Sequence, residues 1–373
     1  MLTAASLLFV QPTVAFIVLQ SGTATTPPFR SLARMSDAPQ LPRVKAAVIV
    51  PGFLSDESDF APLAKALTLR GIPTVVAPMK LWHWLPVIGG RSVRPVLERI
   101  DHAVRHVAAQ AGGGSIHVPP IEYGILDLWS EFWNNPGGVA AVGGTTDPSA
   151  YPIVSPRGRF PDAGQPAGRI ALIGHSAGGY IARIYCSERA YGGKAYCGCR
   201  LVHSIVTLGT PHAAGSAVPF VHVEWANQEP MIPNVDALAV GASGTPGDRS
   251  GALTQGAYSF CTATGTGGEL LDGDGITPTG AQANSHQRLL LLICGLEHCM
   301  CLYSVAESSI AWPGANTLVL PGVTHYPWTA SPFADLVAPE LTQAHRKGKP
   351  WYGDDVALDK WVPWLEDKLE QLD

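Results

Sequence analysis

The sequence predicts an α/β fold in which a mostly parallel sheet is flanked by helices. Apolar, β-branched runs typical of buried strands alternate with segments of helical periodicity along the 373 residues. Hydrophobic residues make up 46% of the chain and charged residues only 15%, so we expect a large core and exclude wholesale disorder. The length exceeds the roughly 100 to 200 residues of an ordinary domain. The 40 Gly and 32 Pro residues indicate that long loops or lid insertions account for the excess.

The first half of the chain predicts two strand–helix pairs. The strands are predicted at 44–50 and 73–78, and the helices at 56–70 and 91–109. The stretch that follows, at about 112–168, is rich in Gly and Pro and lacks a sustained period, so we interpret it as an insertion.

The second half continues the alternation of strands and helices. A strand at 169–173, a helix at 177–187 and a strand at 201–208 come first, and a strand at 317–320 and a closing helix at 356–372 end the chain. We expect residues 213–256 to be irregular, as in a lid or a wall of a site, and 284–305 to be another insertion. Residues 41–373 are thus predicted to form a single domain with three insertions.

The amino-terminal residues 1–40 predict a targeting leader that is removed from the mature protein. An apolar stretch is followed by a Ser-, Thr- and Pro-rich stretch whose first acidic residue is Asp37. The join Val14-Ala15-Phe16 resembles the cleavage site of two-part leaders that direct proteins to algal plastids. The alternative is a secretory signal, which would direct the protein to the endomembrane system or outside the cell.

Charge and cysteine content exclude several classes of partner. The net charge of −5 and the lack of any block of like charges leave no basic surface for nucleic acid. The seven cysteines are an odd number without a C-x-x-C pair, so we expect reduced thiols rather than a zinc site or a disulfide framework. No metal and no cofactor is expected.

The pattern G-x-S-x-G occurs at Gly174-His175-Ser176-Ala177-Gly178. So short a pattern also arises by chance in a Gly-rich turn, and its context decides its meaning. An apolar strand precedes Ser176 and a helical pattern follows it, as a nucleophile elbow requires, because the sharp turn lifts the hydroxyl above the sheet edge. Ser176 is therefore the candidate nucleophile.

A serine hydroxyl needs a base to take its proton and an acid to orient that base, in the chain order Ser, acid, His. His325 stands on a short loop directly after a predicted strand and is the candidate base. His212 also follows a strand but comes too early, which favours a structural role. Asp272 and Asp274 lie together in a Gly-rich loop, and spacing alone leaves both open as the acid.

The backbone amides of Phe53 and Ala177 are the candidate oxyanion donors. One such amide belongs to the residue after the nucleophile, and the other to a loop that follows an early strand. Ala177 follows Ser176, and Phe53 ends the Pro51-Gly52-Phe53 turn after the first predicted strand.

Six blocks of sequence together carry a wider resemblance. In chain order they are VIVPGF (48–53), GHSAGGY (174–180), TLGTPH (207–212), GDGITP (273–278), GVTH (322–325) and PWYG (350–353). They resemble a group of plastid α/β-hydrolases of plants and algae that includes the algal chlorophyllases. The resemblance implies an α/β-hydrolase fold with Ser176, Asp274 and His325 as nucleophile, acid and base, and it favours Asp274 over Asp272. Tyr180 stands where the group often has Trp.

The same resemblance implies a function. It points to cleavage of an apolar carboxylic ester, first of all the phytyl ester of chlorophyll, in the plastid. A plastid lipase or glycerolipid acyl hydrolase, an acyltransferase and a non-catalytic binding protein are the alternatives. Membrane contact is expected to be peripheral at most, and neither the oligomeric state nor the substrate-binding residues are predicted. Five aromatic residues stay open as pocket or core: Trp82, Trp84, Trp129, Phe132 and Trp133.

Overall fold

The structure, a computed structural model, describes ten parts of the chain. They are residues 41–84, 87, 92–111, 116–122, 160–213, 215, 220–262, 264–281, 308–326 and 348–370. The predicted leader, the insertion at 284–305 and most of the insertion at 112–168 lie outside the described residues, as do Trp129, Phe132 and Trp133.

Parallel pairing dominates the described strands. In chain order these are β1 (Arg43–Val50), β2 (Thr74–Val76), β3 (Arg169–His175), β4 (Val202–Leu208), β5 (Asp236–Ser243), β6 (Leu271–Gly273), β7 (Pro278–Ala281) and β8 (Asn316–Pro321). Six of them form one sheet in the order β2-β1-β3-β4-β5-β8, and every neighbouring pair in it is parallel. Strands β6 and β7 form a separate antiparallel pair. The carboxyl ends of all six sheet strands therefore meet at one edge.

Helices cover both faces of the sheet, as a sheet of parallel strands requires. They are α1 (Ala61–Leu69), α2 (Arg94–Ala109), α3 (Ala177–Cys186), α4 (Val221–Asn227), α5 (Ala252–Phe260) and α6 (Asp355–Glu370). Side chains alternate along β1: Val48 and Val50 belong to the core that contains α2 and α3, whereas Ala47 and Ile49 belong to the core that contains α1 and α6. The predicted α/β fold with a mostly parallel sheet is confirmed.

The prediction of irregular structure at residues 213–256 is wrong. This stretch holds α4, the first residues of α5 and the whole of β5, which lies inside the sheet between β4 and β8. Strand β5 (DALAVGAS) is made mostly of small residues and lacks the β-branched run by which a buried strand is recognised. Small residues fit there because the backbone of β5 is closely covered: a Cβ on Gly241 would lie 2.8 Å from the Thr279 hydroxyl.

Within the described parts of the chain, no helix has both the length and the apolar character that a membrane span needs.

Candidate active site

Ser176 occupies a strained turn between β3 and α3. Its backbone has φ 50° and ψ −127°, a conformation that L-residues rarely adopt and that recurs where a serine is held for chemistry. Its N–H donates to the Leu208 carbonyl at the end of β4, 2.9 Å away. Gly178 makes the turn possible, because a Cβ there would lie only 2.5 Å from the Pro51 carbonyl oxygen and would overlap that of Val50.

The predicted oxyanion donors lie beside this turn. Phe53 and Ala177 line the same cavity as Ser176. Neither N–H has a hydrogen-bond acceptor among the described residues. Gly52 lets the first loop approach so closely, since a Cβ there would lie 2.7 Å from His175 Nδ1 and 2.9 Å from Ser176 Cβ. Two free amides thus border the cavity into which Ser176 is exposed.

Asp274 and His325 form a directly hydrogen-bonded, buried pair. His325 Nδ1 lies 2.7 Å from Asp274 Oδ2, and the two side chains are 1% and 0% exposed. A carboxylate only accepts, so Nδ1 carries the proton and Nε2 is left as the acceptor in the neutral ring. The backbones are joined as well, because the His325 N–H donates to the Asp274 carbonyl at 3.0 Å.

Four donors hold the Asp274 carboxylate. Oδ1 accepts from the N–H groups of Ile276 (2.9 Å) and Thr277 (2.8 Å), and Oδ2 accepts from His325 and from the Tyr352 hydroxyl (2.9 Å). Burial by itself raises the pKa of Asp274, but the facing charge and hydrogen bond of His325 and the two amides outweigh it, and the pKa lies below its ordinary value. The carboxylate is therefore ionised when it meets the imidazole.

Asp272, the other candidate acid, has backbone amides rather than His325 as its hydrogen-bond partners. Both its carboxylate oxygens accept from the Gly244 N–H, at 2.9 and 3.0 Å, and the residue is only partly buried. Spacing along the chain did not separate the two aspartates. Their hydrogen-bond partners do.

His175, the residue before the serine, supports the His325 loop. Its Nε2–H donates to the His325 carbonyl at 2.6 Å, and the centroids of the two imidazole rings lie 4.7 Å apart. Burial, with a smaller contribution from the charge of His325, lowers the pKa of His175 to about 3, so the ring is neutral. Gly209, directly after the Leu208 that binds the Ser176 amide, is so close to the pair that a Cβ there would lie 3.0 Å from His325 Nδ1. Ser176, Asp274 and His325 thus lie at one edge of the sheet.

An apolar cavity of about 230 Å³ opens beside Ser176. Few of the residues that form its walls were predicted from the sequence. The wall residues come from five parts of the chain: Phe53; Ser176, Ala177 and Tyr180; Pro211, Phe220 and Val223; Ala257, Phe260 and Cys261; Ile276 and Thr277. Phe220 and Val223 belong to the 213–256 stretch, so this stretch does contribute a wall. Burial raises the pKa of the Cys261 thiol to about 12, which leaves it protonated.

Two of the aromatic residues named in the sequence analysis, Trp82 and Trp84, are described by the structure, and neither lines this cavity. Trp84 is fully buried and packs edge-on against Phe53, with ring centroids 5.6 Å apart, so it supports the wall without forming it. Trp82 is 47% exposed and lines a different cavity of about 520 Å³ beside β2.

His212 is a structural residue. It is buried, its Nε2 lies 2.9 Å from the Thr207 hydroxyl, and its Nδ1 lies 3.1 Å from the guanidinium of Arg183. Burial and that guanidinium hold the pKa of His212 well below its ordinary value. The described residues include no cluster of His, Cys, Asp and Glu side chains that could hold a metal ion. The four described cysteines, Cys186, Cys197, Cys199 and Cys261, are free thiols.

The sheet, its flanking helices and the elbow define an α/β-hydrolase fold. Residues 158–223 match the family model described as the PGAP1-like alpha/beta domain, and this segment contains β3, the elbow, α3 and β4. Among solved structures, a lipase/esterase from Lactobacillus plantarum is similar at 13% sequence identity, with 83% of this chain and 89% of that chain covered and a TM-score of 0.30. No protein of curated function matches the chain.

Proposed function

We propose that this protein is a serine hydrolase of carboxylic esters. The observation that carries the proposal is the buried hydrogen bond between Asp274 and His325 at the sheet edge where the strained elbow presents Ser176. The match of the elbow segment to a PGAP1-like alpha/beta domain supports the same chemistry. A binding protein on this fold would need neither the strained serine nor the buried ionised acid.

The geometry supports a double-displacement mechanism. The Ser176 hydroxyl attacks the ester carbonyl while His325 Nε2 takes its proton, and Asp274 stabilises the imidazolium that forms. The N–H groups of Phe53 and Ala177 hold the oxyanion. Collapse of the intermediate returns the proton from His325 to the leaving alcohol and leaves an acyl-serine. Water, deprotonated by His325, then releases the carboxylic acid and restores Ser176.

The cavity supports an ester with a long apolar group. Its walls are almost wholly carbon, and aromatic and aliphatic side chains stabilise a hydrocarbon chain by removing it from water. On the resemblance of the six sequence blocks, the substrate is the phytyl ester of chlorophyll, and the products are chlorophyllide and phytol. A plastid glycerolipid hydrolase is the second candidate, because the same apolar walls suit a fatty acyl chain.

Parallel assays test the reaction and the substrate. The wild type, Ser176→Ala and the surface control Ser58→Ala are incubated with a short p-nitrophenyl ester, chlorophyll a and a galactolipid. We expect Ser176→Ala alone to lose turnover of every substrate and labelling by a fluorophosphonate. Turnover that survives in Ser176→Ala contradicts the nucleophile. Cleavage of the galactolipid without formation of chlorophyllide favours the second candidate, and ester transfer to an added alcohol in preference to water indicates an acyltransferase.

A plastid location is part of the proposal and is tested separately. Residues 1–40 fused to a fluorescent protein are expected to direct it to the plastid of an alga with a secondary plastid. Secretion of the fusion would instead indicate an ordinary signal peptide. Contact with the membrane is proposed to be peripheral, which predicts release of the protein from membranes by salt or carbonate washing.

A further inference from the structure

The segment Pro350–Gly353, just before α6, has no part in the chemistry proposed so far, yet it contacts the acid and the loop of the base. The Pro350 carbonyl accepts both the N–H (2.8 Å) and the hydroxyl (3.1 Å) of Thr324, the residue before His325. Thr324 and Trp351 form a parallel bridge. This segment therefore fixes the start of the loop that carries the base.

Tyr352, in the middle of the segment, contacts the acid directly. Its hydroxyl donates to Asp274 Oδ2 at 2.9 Å, the same oxygen that accepts the Nδ1–H of His325. The side chain is fully buried, and the Trp361 indole of α6 donates to the Tyr352 carbonyl at 3.0 Å. The backbone and ring of Tyr352 are thus held in place, and its hydroxyl is held against one oxygen of the carboxylate.

We propose that Tyr352 is a positioning residue for the Asp274–His325 pair: its hydroxyl fixes Oδ2 in place and draws part of the carboxylate charge away from the imidazole. This inference rests on the proposed function, since it assigns His325 as the base. A second donor on Oδ2 weakens the attraction between Asp274 and the imidazolium while it keeps the carboxylate oriented. The orientation of the carboxylate and the charge that faces the imidazole are therefore set together by one hydroxyl group.

Removal of the Tyr352 hydroxyl is expected to shift the pH profile of kcat/KM in one definite direction. Without the Tyr352 donor, more charge on Oδ2 faces His325, the imidazolium is stabilised, and the acid limb of kcat/KM moves to higher pH. A purely structural role would not move that limb.

The other titratable groups around the Asp274–His325 pair do not obscure a shift of the acid limb of kcat/KM. Burial lowers the pKa of His175 to about 3 and raises those of Cys261 and Tyr326 to about 12. Burial and the Asp274 charge raise the pKa of Tyr258 as well. Asp272 accepts from the Gly244 N–H and makes no hydrogen bond to the pair. His175, Cys261, Tyr326 and Tyr258 each keep one protonation state between about pH 5 and 9, so the acid limb reports the pair itself.

The test compares the full-length wild type with Tyr352→Phe and a matched control, Tyr185→Phe. Tyr185, near the carboxyl end of α3, is also fully buried. Its hydroxyl also donates to a carboxylate, that of Asp101 in α2, at 3.1 Å. We expect Tyr352→Phe to lower kcat on a short ester roughly tenfold, with KM within about twofold, and to raise the acid limb by about half a pH unit. Tyr185→Phe is expected to leave the acid limb unchanged.

A second measurement needs no substrate. The Nδ1–H of His325, bonded to a buried carboxylate, is expected to give a downfield proton resonance in the NMR spectrum, and Tyr352→Phe is expected to shift it and Tyr185→Phe to leave it in place. An acid limb and a resonance that are both unchanged in folded Tyr352→Phe overturn the inference. If Tyr352→Phe does not fold, 3-fluorotyrosine is incorporated at position 352: its more acidic hydroxyl donates more strongly to Asp274 Oδ2, so the acid limb is expected to move to lower pH and the resonance to shift, and no change in either overturns the inference. Activity that survives in Ser176→Ala would overturn the proposed function instead, and the resonance would still test the contact with Tyr352.

Discussion

Replacement of Asp274 by Asn separates the two neighbouring aspartates and tests the site at its most buried point. The amide oxygen of Asn can still accept the N–H groups of Ile276 and Thr277. Its NH₂ group would then face the Nδ1–H of His325 and the hydroxyl of Tyr352, both of which are donors in the wild type. To bond with this NH₂, His325 must take the opposite tautomer, and its Nε2 then carries a proton and cannot accept one from Ser176.

The size of the effect follows from these contacts. A triad that loses its acid to Asn loses about 10⁴ in kcat because the imidazole is held in the wrong tautomer, and we expect about 10³ to 10⁴ here. For stability, the charged acceptor of two hydrogen bonds is lost in a site with no exposure, and each weakened or unpaired bond costs about 1–3 kcal/mol. Together they should lower the free energy of unfolding by about 2–6 kcal/mol.

The assay is kcat/KM on a p-nitrophenyl ester together with urea unfolding followed by circular dichroism. Asp272→Asn is the matched control: an amide oxygen at that position still accepts the Gly244 N–H, so we expect activity within about twofold of the wild type. If Asp274→Asn keeps a tenth of the activity, or if Asp272→Asn is the variant that loses it, the assignment of the acid is refuted.

Three further outcomes are expected. Gly178→Ala places a Cβ against the Val50 and Pro51 carbonyls and should lower the free energy of unfolding by about 2–4 kcal/mol. Gly256→Ala, in open space within α5, should raise it by about 0.5–1 kcal/mol. Thermal melts in which Gly178→Ala is the more stable of the two variants would contradict this. Ala257→Trp should fill the cavity and lower kcat/KM about tenfold for a dodecanoate ester but at most about threefold for an acetate; equal losses would place the apolar chain elsewhere. Burial lowers the pKa values of His203 and His222 from 6.5 to about 4. Between these pH values the unfolded chain binds more protons than the folded protein, so the free energy of unfolding should fall as the pH drops from 6.5 to 4. Equal urea midpoints at pH 6.5 and 4.5 would contradict this expectation.

Strands were predictable where side-chain type and burial agree. Strands β1, β3 and β4 are rich in apolar residues, and the structure reproduces the predicted bounds to within two residues. Strand β5 was not predicted, because packing determines its conformation rather than a preference of its residues for the β conformation. The backbone of Gly241 lies so close to the Thr279 and Ser309 side chains that larger residues would not fit.

Chain order and local pattern indicated two of the candidate site residues from the sequence. Ser176 was marked by a strand, a turn of small residues and a helix, and His325 by its place after the last strand. Asp274 needed either the resemblance or the three-dimensional structure, because Asp272 has the same spacing and differs only in what surrounds it. The cavity walls were not predictable, since Phe220 and Phe260 come from helix ends with no signal of their own. Tyr352 stood in a recognised block, but nothing in that block indicated that its hydroxyl would reach a carboxylate 78 positions earlier.

The contact of Tyr352 with α6 makes the segment from Pro350 to the end of α6 important for the candidate site, although this segment lies far from Ser176 in the sequence. A splice form or proteolytic fragment that stops before Pro350 would retain Ser176, Asp274 and His325 and the G-x-S-x-G pattern. It would nevertheless lack the Pro350 carbonyl that accepts from Thr324 and the Tyr352 hydroxyl that donates to Asp274 Oδ2. We therefore expect gene copies truncated at this terminus to lack two supports of the Asp274–His325 pair even where Ser176, Asp274 and His325 are all present.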